Sequence, residues 1–93
     1  MNRMDHDHPR WQEFLDRLEG PDGCDFQELQ AGQLRPEGYS LFEKMIWRCK
    51  GGHDKTYATV LLSEMGDIDI PASLAFFDAA GGHCDCEILF NVA

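Results

Sequence analysis

The sequence predicts an α+β fold, three helices packed on a small antiparallel sheet, and three observations carry that expectation. Apolar residues recur at helical spacing in three separate segments, they alternate in two others, and glycine or proline marks the junctions. A chain of 93 residues makes one domain, because dividing it would leave pieces too small to bury a core. That single unit spans 1–93, with residues 1–7 expected as a flexible N-terminal tail.

The first segment, "DHDHPRWQEFLDRLEG", sets Trp11, Phe14, Leu15 and Leu18 on one helical face. Pro9 is tolerated in a first turn and Gly20 is a stop, so the helix is expected from His8 to Glu19. "GPDG", Gly20 to Gly23, is a turn, and "CDFQEL" is a short strand or an irregular lead into the loop "QAGQLRPEG". From Leu41 to Cys49 the residues alternate, with Met45, Trp47 and Cys49 opposite Lys44, Ile46 and Arg48, which predicts a strand. Gly51 and Gly52 end it. Asp54 then caps a second helix, with Ala58, Leu61, Leu62 and Met65 inward and Gly66 as its end. A third helix has an acidic start, Pro71 in its first turn, Leu74, Phe77 and Ala80 on its inner stripe, and Gly81 and Gly82 as terminator. The tail "CEILFNV" alternates again, Cys86, Ile88, Phe90 and Val92 against Glu87, Leu89 and Asn91, and predicts a closing strand.

Seventeen acidic against eight basic residues give a net charge of −9, which repels phosphate backbones and argues against nucleic-acid binding. No apolar segment opens the chain and no apolar run reaches the ~20 residues of a membrane span, so a cytoplasmic protein without a membrane partner is expected. In that reducing setting the four cysteines are expected as metal ligands or free thiols rather than disulfides.

Their placement favours ligands. If the strand ending at Cys49 pairs antiparallel with the strand beginning at Cys86, both thiols reach one end of the sheet, and His53 and Cys84 lie in loops at that same end. Three thiolates and one imidazole, Cys49, Cys84, Cys86 and His53, form a donor set that structural zinc accepts. Cys24 is the alternative fourth ligand, giving an all-cysteine site; otherwise it is a small buried hydrophobe. The paired glycines let backbone amides turn toward sulfur, while Asp54 and Asp85 stand beside the ligands as acceptors or as helix caps. His83 would strain to bind the same ion as its neighbour Cys84 and is expected at the surface. "DHDH", Asp5 to His8, could collect a metal only adventitiously.

"GGHCDCEILFNV", with "WRCKGG" and "SLAFF", resembles the C-terminal half of the small bacterial proteins grouped as domain of unknown function 2695. The resemblance spans Trp47 to Val92, and Cys-Asp-Cys-Glu is its specific part. It implies an upstream Cys and His before the first of two helices, matching Cys49 and His53, and it implies no established activity, substrate or partner.

Two functions remain in contention. One is a zinc-stabilised domain that presents a surface to a protein partner, since a closed ligand set leaves no catalytic team. The other is a thiol redox protein or sensor, in which Cys84 and Cys86 exchange between dithiol and disulfide and His83 or a helix dipole lowers a thiol pKa. An enzyme with an open metal position would need a base; Glu87 is the candidate beside the motif, and a strand would point it away from Cys86.

Overall fold

The computed structural model describes residues 2–93. Helix α1, Trp11–Glu19, buries Phe14, Leu15 and Leu18, the stripe that the spacing marks. It begins at Trp11 rather than His8 because His8 belongs to a preceding turn. The His8 carbonyl accepts from the Trp11 amide at 3.0 Å, and its Nδ1 accepts from the Arg10 amide at 3.0 Å. Gly20 closes the helix by donating its amide to the carbonyls of Asp16 and Arg17.

Of residues 1–7, expected as a flexible tail, those described, 2–7, lie along the domain. Met4 is fully buried, its amide donates to Ser73 Oγ at 2.8 Å, and that hydroxyl donates to the Asp69 carbonyl at 2.6 Å. A buried hydroxyl is thereby satisfied on both sides.

The segment Leu41–Cys49 is not one strand. It holds the end of β2, Tyr39–Phe42, and all of β3, Met45–Arg48, which pair antiparallel with Tyr39 opposite Arg48 and Phe42 opposite Met45. Glu43, at φ 56°, turns the chain between them. The two-residue strand β1, Gln27–Glu28, pairs with the other edge of β3, giving the order β1-β3-β2. Within β3 Ile46 is fully buried and Met45 exposed. Arg48 can share the side of Ile46 because its guanidinium donates to the carbonyls of Pro21 and Gly23 and lies 4.8 Å from the centre of the Tyr57 ring. On the other side Trp47 stacks on Phe26 at 5.3 Å, with Phe90 edge-on to both rings.

Helix α2, Thr56–Met65, buries Ala58, Leu61, Leu62 and Met65 and ends at Gly66, whose φ of 73° suits glycine. Helix α3, Ile70–Ala79, starts with the Asp69 carboxylate accepting from the Ala72 amide at 3.1 Å and has Pro71 in its first turn. Phe77 is buried, Leu74 and Ala80 are half-buried, and the Phe77 ring stacks on Phe14 at 5.5 Å. The core lies where α1, α2 and α3 meet the end of the chain, with Ile88 and Val92 filling its lower side.

That end is helical, which corrects the expected closing strand. Helix α4, Asp85–Glu87, passes directly into a π-helical turn, Ile88–Val92. Cys84, Ile88 and Val92 are buried at every fourth position, whereas Phe90, which an alternating strand would bury, is 60% exposed. The pairing imagined between a Cys49 strand and a Cys86 strand is therefore absent from the sheet.

Gly82 lets this turn approach. A Cβ there would stand 2.7 Å from Val92 Cγ2 and 3.0 Å from Ile88 Cγ1. Gly82→Ala is expected to destabilise the domain by about 1–3 kcal/mol through overpacking. A urea midpoint unchanged from wild type would show that the turn has room to shift.

Candidate metal centre

Cys49 follows β3, Cys84 is the residue before α4, and Cys86 lies within α4. Their three sulfurs lie within 4.8 Å of one another, and Cys84 and Cys86 Sγ are 3.5 Å apart. The edge of a tetrahedron with zinc–sulfur bonds of ~2.3 Å is ~3.8 Å, so adjustments of at most ~1 Å would place three sulfurs on such an ion.

The loop after β3 is docked on the start of α4 by polar contacts that the sheet does not supply. The Asp85 amide donates to the Asp54 carbonyl at 3.3 Å, and Lys55 Nζ donates to the His83 carbonyl at 3.1 Å. The fully buried Asp85 carboxylate accepts from the amides of Ala58 at 2.8 Å and Tyr57 at 3.2 Å. It caps α2 from the far end of the chain, supplying acceptors and a negative charge to the helix N-terminus. In the run Cys84-Asp85-Cys86 the middle side chain thus enters the fold while the thiols on either side meet Cys49. Asp54 caps the same helix locally, its Oδ1 accepting from the Thr56 amide at 2.9 Å and hydroxyl at 2.6 Å. Gly51 and Gly52 have φ of 73° and 58°, and the Gly51 amide donates to Cys49 Sγ at 3.4 Å.

Burial dominates the electrostatics. It pushes the Cys84 thiol far above its ordinary pKa and Cys86 to about 11. It also raises Asp85, against the pull of the two backbone amides. Neither thiol has the lowered pKa of an exchanging redox cysteine. The Cys84 thiol donates to Glu87 Oε1 at 3.3 Å.

Not every candidate from the sequence arrives. Cys24 is fully buried in the core cluster, outside the three-thiol group, and burial raises its thiol strongly. His53 is exposed and groups instead with Asp78 and His83, their rings 5.1 Å apart at the centroids. His83 Nδ1 faces Asp78 Oδ1 at 3.3 Å rather than a thiol. Glu87 is the residue that strand alternation turned away. On a helix it falls three positions after Cys84, on the same face. Its other oxygen is 3.5 Å from Asn91 Nδ2, which donates to the Gly81 carbonyl at 2.9 Å.

Fold and site together define a small α+β domain with a cluster of three cysteines that could hold a metal. Among the described residues no helix is long and apolar enough to cross a membrane. No family model, curated protein or solved structure matches the chain.

Proposed function

We propose that the protein is a small zinc-stabilised interaction module, its ion held by the thiolates of Cys49, Cys84 and Cys86 with the Glu87 carboxylate as fourth donor. The observation that carries this reading is the convergence of three thiols from the two ends of the helical region within 4.8 Å. The raised pKa values of Cys84 and Cys86 make these two thiols poor nucleophiles, but a divalent cation would displace thiol protons and turn the cluster into a cross-link. Soft sulfur donors favour zinc over magnesium or calcium. Glu87 Oε1 lies 3.3 Å from Cys84 Sγ, and rotation of its side chain toward Cys49 and Cys86 would make it the fourth donor. The resemblance to domain of unknown function 2695 supports the three cysteines of this reading through its Cys-Asp-Cys-Glu run and departs from it at His53, which Glu87 replaces as fourth donor.

The partner side of the reading rests on the strands. Leu34 is 87% and Phe42 67% exposed, Leu41 and Met45 are also exposed, and the domain is elongated, 46 × 21 × 18 Å. Phe42 and Met45 stand opposite each other beside the hairpin turn, and exposed apolar side chains paired in this way are a surface that a protein partner would cover.

Metal content per chain, measured by mass spectrometry on reduced protein purified without added metal, tests the site. About one zinc per chain is expected, lost in Cys49→Ser and Cys84→Ser, weakened in Glu87→Gln and retained in Cys24→Ser and His53→Ala. Metal-free wild type overturns the reading and redirects attention to disulfide exchange between Cys84 and Cys86.

A further inference from the structure

His53, Asp78 and His83 make a second cluster, separate in its residues from the thiols. One donor atom from each lies within 4.8 Å of the others, and the two imidazoles meet edge to face at 70°. We propose that these three side chains form a second, exchangeable site for a borderline divalent cation such as zinc, nickel or cobalt(II). The proposal does not depend on the thiolate centre.

The donors are of the right type. Two imidazoles and one carboxylate suit such cations and leave further coordination positions to water. Donor atoms around an ion with bonds of ~2.0–2.1 Å stand ~3–3.4 Å apart, so His83 and Asp78, at 3.3 Å, are already spaced for one and the remaining donor distances must close by at most ~1.8 Å. Exposed His53 and Asp78 can do so by side-chain rotation, without moving the core. The elements that hold them are already tied together: α3 supplies Asp78, and Lys55 bridges Asp78 Oδ1 at 2.8 Å to the His83 carbonyl at 3.1 Å. That ammonium shares Oδ1 with His83 Nδ1, which is 3.3 Å away, so a bound ion would compete with it for the carboxylate and its positive charge weakens binding. The net charge of −9 acts in the other direction, concentrating cations at the surface. An open groove of about 440 Å³, walled by His53, Asp78, Thr59 and Leu74, adjoins the cluster and keeps it accessible to solvent. Accessibility, a nearby ammonium and only three protein donors together make the site one that exchanges.

The same geometry accounts for His53. Four positions after Cys49, it was the sequence's choice for the thiolate ion, yet its imidazole faces His83. Each histidine thus follows or precedes a thiol in sequence and serves a different ion.

Titration of the protein with zinc, beyond whatever metal it carries when purified, tests the proposal through the imidazole resonances of all four histidines. A further equivalent is expected to shift His53 and His83 together and to leave His6 and His8 unmoved. His83→Ala, His53→Gln and Asp78→Asn are each expected to weaken that equivalent at least tenfold (about 1.4 kcal/mol) without releasing metal bound by the thiols. Three results would overturn it: no further equivalent, shifts confined to His6 and His8, or a His53 shift that accompanies the thiolate metal without His83.

Discussion

Asp85→Ala is expected to lower the free energy of unfolding by about 2–4 kcal/mol, because it leaves two amides at the start of α2 without acceptors and removes a favourable charge from the helix N-terminus. The ordinary loss of a cap is smaller, typically ~1 kcal/mol, since water replaces the side chain. Here the carboxylate is fully buried and bonds Ala58 and Tyr57 across more than a quarter of the chain, so water has little access to either donor. Asp85→Asn keeps one acceptor oxygen and should lose about half as much. Urea unfolding gives the magnitude, and hydrogen exchange gives the place: the amides of Tyr57 and Ala58 should lose protection before those of Leu61 and Leu62. A loss within the ±0.5 kcal/mol typical of surface substitutions would mean that α2 is capped well enough by Asp54 alone. The residue also joins fold to site, because displacing it moves Cys84 and Cys86 on either side.

Helices α2 and α3 were legible because their signals are local. Asp69 caps its own helix, Pro71 sits in the first turn, and Gly66 takes the left-handed conformation that ends α2. The hairpin was not legible, since Glu43 and Lys44 carry none of the glycine or asparagine that announces a two-residue turn. Its facing depends on Arg48 finding the Gly23 carbonyl, a tertiary contact that alternation cannot encode. For the tail, a four-residue spacing of Cys84, Ile88 and Val92 fits either a strand or a helix; only the exposure of Phe90 decides. The cysteines nevertheless meet, because Asp85 docks on α2 and brings the end of α3 to the loop after β3. Glu87 was hidden by the same ambiguity, as it joins Cys84 only if the segment is helical.

Removing the metal proposed for the three thiols is expected to lower Tm by about 15–30 °C under reducing conditions. An ion present at about a thousand times its Kd stabilises the folded state by about 4 kcal/mol. In a domain of this size each kcal/mol moves Tm by about 4–8 °C. The effect falls on a marginal structure: the sheet is short, β1 has two residues, and the core is shared by a few helical turns and the closing π-helical turn. Cys49 and Cys84 also belong to segments far apart in sequence, so an ion between them restricts the unfolded chain as well as joining the folded one. Wild type should therefore melt at the lower temperature after treatment with a strong chelator and recover when zinc is returned. Cys84→Ser should melt at that lower temperature throughout and respond to neither addition. His53→Ala should behave as wild type, which separates the thiolate ion from the exchangeable one. If chelation shifts the wild-type Tm by less than about 4 °C, the equivalent of ~1 kcal/mol, the ion does not hold the fold and the cluster needs another explanation.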